Sequence, residues 1–266
     1  NCEVKAIMIK DGRAEIMPEK CILCGTCLQI CPQSAKKLVS DLSKVKGYLL
    51  SGQKVVVSIA PSYMGLLKYK TLGQVKAALK RLGFADVRET SEGAVLVTEE
   101  YTRLLQEGKM ENIITTCCPS VNDLIEKYYP SLVTMMAPVV SPMVAHGRLI
   151  KSIYGEEVKV VFLGPCIAKK EEAIGDERVR GAIDAILTFE EITKWWRAEG
   201  IDIHQCDDQP VGNPSPEVNQ LYPLSGGVIQ SVLADTSKDS YYKVHIDGLK
   251  NCMELFEELK MGEISK

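Results

Sequence analysis

From residue 53 onward the apolar positions follow two alternating periods. KVVVSIAP (54–61), EVKVVFLGPC (157–166) and GAIDAILT (181–188) are short, β-branched apolar runs, the pattern of strands buried on both faces. Between them apolar residues recur at helical spacing in LGQVKAALKRLG, which stops at Gly83, in TEEYTRLLQEG (98–108) and in FEEITKWWRAEG (189–200). NIITTCCP (112–119) reads as another strand. YPLSGGVIQSVLAD (222–235) reads as a loop with a glycine pair leading into a helix, and KVHIDGLKNCMELFEELKMGE (243–263) as strand then helix. Strands alternating with helices predict an α/β fold: two lobes of mostly parallel sheet with flanking helices.

The first 40 residues obey a different pattern. VKAIMIKDGRAEIM (4–17) reads as strand, turn, strand, with Asp11-Gly12 at the centre of a hairpin turn. A cysteine-rich loop, PEKCILCGTCLQICPQSAK, follows, and residues 41–52 read as a polar connector. The expected organisation is a small α+β module over 1–40 and a larger unit over 53–266. Internal repeats and low-complexity tracts are absent from the sequence.

Composition narrows the function. The 266 residues are 45% hydrophobic and 25% charged, with a net charge of −3, and the pI is about 5.8. The balance lacks the basic excess of a nucleic-acid binder. The longest uncharged run, Leu132–Ala145, is too short for a membrane span and holds two prolines. With no export signal visible, the expected location is the cytoplasm. Ten cysteines, most of them clustered, then point to metal or redox chemistry rather than structural disulfides.

Cys21, Cys24, Cys27 and Cys31-Pro32 spell C-x2-C-x2-C-x3-C-P, the bacterial ferredoxin run for a [4Fe–4S] cluster. Zinc is the alternative, but four cysteines in eleven residues suit a tetrahedral ion less well. In two-cluster ferredoxins the fourth cysteine of each run crosses to the other cluster. By that rule Cys2, just before the hairpin, completes the cluster of Cys21, Cys24 and Cys27, and Cys31 serves a second cluster. The chain is then expected to start inside a first motif.

TTCCPS (115–120) and VVFLGPCIAKKEE (160–172) place cysteines at the ends of predicted strands, where ligands collect in parallel α/β sheets. TTCCPS resembles the TSCCP motif of iron-only ([FeFe]) hydrogenases, and GPCIAKKEE resembles their PC-x-x-K-K-x-E motif. The resemblance covers essentially the whole chain: the cysteine run, the APS segment (60–62), the Ser141-Pro142 pair and SGGV (225–228) fall in the same order. It implies that Cys118 and Cys166 bind the [4Fe–4S] part of an H-cluster. It makes Cys117 the proton-transfer thiol beside the diiron site, and Lys169 the hydrogen-bond donor to a cyanide ligand. Pro61 and Ser62 line the diiron pocket, Gly226 and Gly227 belong to the cofactor wall, and Glu172 belongs to a proton path.

The chain also departs from that family. Ser120 and Val121 stand where a glycine and an aromatic are usual, Gly164 where methionine is common, and Met143 where glutamine is common. Arg103 replaces a proton-relay glutamate and Ala137 a serine. These departures point to a divergent branch, like the sensory hydrogenases. The family's two further H-cluster cysteines come from an E-x-x-A-C-x-G-G-C type motif that residues 1–266 do not contain, so truncation at the C-terminal side is expected. Cys206 and Cys252 are isolated and read as core. His146, His204 and His245 lack metal-ligand spacing, and of Trp195 and Trp196 one is expected in the core and the other partly exposed. The resemblance thus implies reversible hydrogen oxidation with electrons passing through the ferredoxin-type cluster. The alternatives are a hydrogen or redox sensor with a slow site, and a cytosolic iron–sulfur assembly factor. The implied partners are a redox protein such as ferredoxin or a signalling domain, with hydrogen and protons as reactants; homo-oligomerisation is left open.

Overall fold

The structure is a computed structural model and describes residues 2–67, 71–175, 177–211, 215–233 and 241–262. It begins with the expected hairpin, β1 (Ile7–Lys10) antiparallel to β2 (Arg13–Ile16). Asp11 (φ 50) and Gly12 (φ 72) both take the left-handed conformation of a two-residue hairpin turn. The cysteine loop leads to a one-turn helix, α1 (Thr26–Gln29).

Residues 41–52 are not a connector but carry a helix, α2 (Leu42–Leu50). Its lysines suggest a polar link, yet Leu42, Val45, Tyr48 and Leu49 recur at helical spacing and pack on the main core. Then β3 (Val55–Ile59), fully buried, opens the parallel sheet. It is followed by α3 (Tyr63–Leu66), α4 (Leu72–Arg81), β4 (Asp86–Glu89) and α5 (Ser91–Glu107). Next come α6 (Pro119–Tyr128), α7 (Pro142–Tyr154), β5 (Lys159–Leu163), α8 (Ala168–Gly175), β6 (Ala185–Leu187) and α9 (Phe189–Ala198). The described chain ends with α10 (Gly227–Leu233) and α11 (Leu249–Met261).

The four strands are all parallel, in the order β4-β3-β5-β6. The chain moves from β3 to one side for β4 and returns to the other side for β5. Strand order therefore reverses between β3 and β5, the switch point beyond whose carboxyl ends ligands collect in open parallel sheets. Gly93 lets α5 lie against α7, since a Cβ there would meet the Pro142 carbonyl at 2.3 Å.

Two predicted strands do not form ladders. In NIITTCCP only Ile114 makes an isolated parallel bridge, with Met136. Further along the segment the Thr116 N–H is taken by the Tyr101 hydroxyl (2.9 Å) instead of a neighbouring strand. Residues 243–247 carry no ladder either. Trp195 and Trp196 are both buried, correcting the expected split: Trp196 donates its indole N–H to the Ala78 carbonyl (3.2 Å), which satisfies its one polar atom inside the core. Ala234, Asp235 and Glu263 of the predicted elements lie outside the described residues.

A candidate iron–sulfur site at the strand-switch crevice

The crevice places two candidate segments side by side. The Ala60 N–H donates to the Leu163 carbonyl at 2.8 Å, so the turn Ala60-Pro61-Ser62 after β3 runs beside Gly164-Pro165-Cys166 after β5. A Cβ on Gly164 would lie 3.2 Å from that of Ala60. This closeness gives a physical reason for glycine where the family often has methionine.

The Cys117-Cys118 pair comes from the other side. Thr116 anchors it: its hydroxyl donates to the Val139 carbonyl (2.6 Å), and its own carbonyl accepts from Asn122 Nδ2 (3.0 Å). Cys118 is the N-cap of α6, with Pro119 fixing the first helical φ. Its carbonyl accepts from Val121 and Asn122, both at 3.1 Å. The neighbours then face different surroundings. Cys118 is exposed, whereas Cys117 is half-buried with its Sγ 3.7 Å from the Tyr101 hydroxyl.

Lys169 ties the two sides together. It is only 9% exposed, and its ammonium donates to the Cys117 carbonyl (3.0 Å) and to Glu172 Oε2 (2.6 Å). Glu172 therefore neutralises a buried cation. Burial pushes the Cys117 thiol up to about 11, with the Tyr101 hydroxyl and the Lys169 charge pulling it back. At neutral pH Cys117 carries its proton.

Beyond the pair lies a cavity of about 820 Å³, walled by Tyr101, Cys117, Cys118, Tyr222, Gly226 and Gly227 among others. Gly226 has φ +72, and a Cβ on Gly227 would strike the Leu221 carbonyl at 1.8 Å. The turn itself therefore demands this glycine pair. Cys166, Lys169, Pro61 and Ser62 are not on this wall. Exposed and half-exposed thiols, a buried cation and a roomy cavity are a donor set that suits a thiolate-held, anionic cluster.

The N-terminal loop is built locally. Leu23 (φ 53) and Gly25 (φ 80) curl the chain between Cys21 and Cys27. Backbone N–H groups already point at sulfur: Leu23 to Cys21 Sγ (3.4 Å) and Ala6 to Cys2 Sγ (3.3 Å). Such bonds tune iron–sulfur potentials. Cys2 and Cys21 pack on the same apolar cluster, with Val4, Ile22 and Ile125. Cys31 accepts from Ala35 N–H (3.4 Å), and the N–H groups of Ala35 and Gln33 draw its thiol down.

The module docks on the two elements that start at the crevice. Gly25 lies against Ile167, the residue after Cys166; a Cβ there would be 3.3 Å from Ile167 Cδ1. At the far end of α6, Lys127 Nζ donates to the Cys21 carbonyl (2.6 Å) and the Tyr128 hydroxyl to the Lys20 carbonyl (2.8 Å).

Comparison with known proteins agrees with this arrangement. Residues 53–266 match the family described as "Iron only hydrogenase large subunit, C-terminal domain". The chain belongs to that family. Residues 14–37 match "4Fe-4S binding domain". Among curated relatives, the chain is 29% identical over 245 residues to the NADP-reducing hydrogenase subunit HndD of Solidesulfovibrio fructosivorans, covering 80% of this chain and 42% of that protein. It is 29% identical over 230 residues to iron hydrogenase 1 of Clostridium pasteurianum, covering 76% and 40%. It is also 27% identical over 214 residues to the cytosolic Fe-S cluster assembly factor NAR1 of Vanderwaltozyma polyspora, covering 71% and 38%. The chain spans less than half the length of these relatives. The fold matches apo [FeFe]-hydrogenase HydA1 from Chlamydomonas reinhardtii with a TM-score of 0.65 and 19% identity, over 85% of this chain and 80% of that one. The protein is thus an iron–sulfur oxidoreductase-family member. Its N-terminal module, by the match over residues 14–37, carries a ferredoxin-type [4Fe–4S] cluster.

Sequence reasoning missed Tyr101, Tyr222 and Cys252 at this site. Tyr101 lies at helical spacing with Val97 and Leu104, so it reads as an ordinary core residue. Tyr222 reaches Thr98 with its hydroxyl (2.9 Å) and walls the cavity. Cys252 is half-buried: it packs on the apolar cluster of Leu124, Ile125 and Phe256, as expected, and also borders the cavity. Cys206 is core as expected, its thiol directed to the Asp202 carbonyl at 3.4 Å. His146 is completely buried and hydrogen-bonds Ser58 through Nδ1 (2.7 Å). Arg103 is held on the surface by Glu100 and Glu107.

Proposed function

We propose that the chain works as an [FeFe]-hydrogenase-type oxidoreductase, interconverting hydrogen with protons and electrons. The observation that carries this reading is the buried Lys169 donating to the Cys117 carbonyl, which joins the turn before Cys118 to the helix after Cys166, with the ferredoxin loop packed on Ile167. In this reading Cys118 and Cys166 hold the cubane half of the H-cluster. Cys117 presents a protonated thiol steadied by Tyr101. Lys169 supplies a cation for anionic ligands, and Glu172 holds it in place. Pro61 and Ser62 border the same crevice, and Gly226 and Gly227 form the cavity wall. The H-cluster, when bound, supplies the redox iron at which hydrogen is split or formed. Electrons leave through the cluster held by Cys21, Cys24, Cys27 and Cys2, to a redox partner such as a ferredoxin; Cys31 faces a second cluster. The two units are residues 1–40 and 53–266, and the working compartment is the cytoplasm. Among the described residues no helix is long and apolar enough to cross a membrane.

A sensory role is the second reading. Arg103, locked between Glu100 and Glu107, occupies the position of a relay acid and cannot be deprotonated at working pH. The similarity to NAR1 keeps an assembly role as a third. One experiment separates them: anaerobic cluster reconstitution, loading of a diiron unit, then hydrogen-dependent dye reduction and infrared spectroscopy. Turnover that disappears in Cys117→Ala supports the enzyme. Hydrogen-induced spectral change with negligible turnover supports the sensor. Failure to take up the diiron unit overturns both and leaves the assembly role.

A further inference from the structure

A second cavity, of about 270 Å³, lies beside the edge strand β4, bordered by Tyr63, Leu72, Lys76, Glu89, Glu92 and Gln220 among others. It shares no residue with the cavity at Cys117 and Cys118. Glu89 is the last residue of β4 and stands opposite Ile59 of β3, so it marks the carboxyl end of the sheet, where ligands collect. Lys76 and Asp86 form an ion pair at 2.7 Å, and Arg88 Nε donates to Glu92 Oε2 at 3.1 Å. Among the described residues Glu89 has no such cation. It is only 6% exposed; Oε2 accepts from Gln220 Nε2 at 3.2 Å, and Oε1 is buried with no hydrogen-bond partner. Buried polar atoms in folded proteins are paired with few exceptions, and each exception asks what supplies the missing donor.

We propose that this cavity binds a small organic ammonium ion, with its N–H donors on Glu89 and its carbon body against Tyr63, Leu72 and Val87. Two cations and three carboxylates border the cavity: Lys76 and Arg88 against Asp86, Glu89 and Glu92. Both cations are already matched, so an anion meets no spare positive charge, while an ammonium matches the one carboxylate left over. A primary ammonium brings three N–H donors, enough to reach Oε1 without displacing Gln220 from Oε2. A water donates to Oε1 too, but leaves the carboxylate charge unmatched and the apolar wall uncovered. A metal ion does not fit, because among the described residues no three His, Cys, Asp or Glu side chains come close enough to hold one. An engineered cavity of about 150 Å³ holds benzene, so this one has room for an amine of about five to eight heavy atoms. Tyr63 directly follows Pro61-Ser62, so the occupant touches the segment that leads from the crevice. The site uses no cluster residue, and its test is independent of the proposed hydrogen chemistry.

The whole chain is titrated with methylammonium, butylammonium and benzylammonium chloride by calorimetry at constant ionic strength, with thermal melts alongside. The pH is about 8, above the value of about 7 to which burial raises Glu89. Butanol and sodium butyrate are the neutral and anionic controls, and Glu89→Gln and Leu72→Trp the variants. At least one amine is expected to bind with a Kd of about 1 mM and to raise the melting temperature. Glu89→Gln keeps the shape and an acceptor for Gln220, and is expected to weaken binding about tenfold or more. Leu72→Trp fills the apolar end, so it should weaken the larger amines and spare methylammonium. Butanol and butyrate should bind about tenfold more weakly than butylammonium, or not at all. Equal affinity in wild type and Glu89→Gln overturns the inference, as does butyrate binding as tightly as butylammonium. Absence of heat and of any melting shift with all three amines at about 30 mM overturns it too. Should Glu89→Gln fail to fold, Leu72→Trp and the butanol and butyrate comparisons decide.

Discussion

Cys21, Cys24 and Cys27 lie within seven residues of one loop, whereas Cys118 and Cys166 are 48 residues apart. The first site needs only a hairpin, two left-handed residues and a one-turn helix to take shape. The second needs the whole parallel sheet, because its segments come together only where strand order reverses. The local site therefore depends on backbone conformation, and the assembled one on core packing. A cluster at the first can survive damage to the sheet; a cluster at the second cannot.

The largest test of this contrast is a pair of deletions. Cys24→Ala is expected to remove the module cluster alone and Cys118→Ala the crevice cluster alone, each lowering iron by about four per chain. Iron analysis with EPR of the reduced proteins checks it. Loss of both signals in either variant would mean that the sites are interdependent.

The next largest effect concerns the buried pair at the crevice. Lys169→Ala leaves the Glu172 carboxylate and the Cys117 carbonyl without their donor. It should lower stability by about 3–5 kcal/mol, measured by urea unfolding of the cluster-free protein. Lys169→Ala with Glu172→Gln should recover part of that loss, since no uncompensated charge then stays buried.

Acid should strike the sheet unit before the module. Burial, aided by Arg88, pulls His146 down to about 3. Between that value and its unfolded value near 6.5 the unfolded chain binds the extra proton, so stability drops as pH falls, by about 1.4 kcal/mol per pH unit. His146→Gln should flatten this slope in thermal melts from pH 6.5 to 4. Glu89 acts in the opposite sense. Burial raises it to about 7, so its share of stability is complete below its unfolded value near 4.5 and is lost as pH rises through 7. An unchanged acid slope in His146→Gln would assign the effect to other groups.

The smallest expected change is at Arg103. Its ion pairs with Glu100 and Glu107 are exposed, so Arg103→Ala should alter stability by about 0–1 kcal/mol. Arg103→Glu restores an acid at a relay position. Within the proposed hydrogen chemistry it should speed turnover without changing iron content.

Much of the molecule was legible in the chain. The Asp11-Gly12 turn, the buried runs that became β3, β5 and β6, the cysteine run and the Pro165-Cys166 segment all carry their signals within a few residues. The misses have a common cause. For α2 the lysines masked apolar positions that only the neighbouring sheet shows to be buried. For NIITTCCP the β-branched content was right, but a tyrosine hydroxyl from α5 took the Thr116 amide and no neighbouring strand paired along the segment.

The sequence by itself determined what is short-range: the hairpin, the ferredoxin loop, the strand cores and the two cysteine motifs, because neighbouring residues impose those conformations. Only the tertiary structure decided which thiols meet. Cys117, Cys118 and Cys252 border one cavity because helix packing brings together elements distant in sequence. The structure also decided that Lys169 is buried beside Glu172 while Lys170, the next residue, reaches out to the Val39 carbonyl (2.7 Å). Burial is a property of what surrounds a residue, and identical neighbouring lysines carry no record of it.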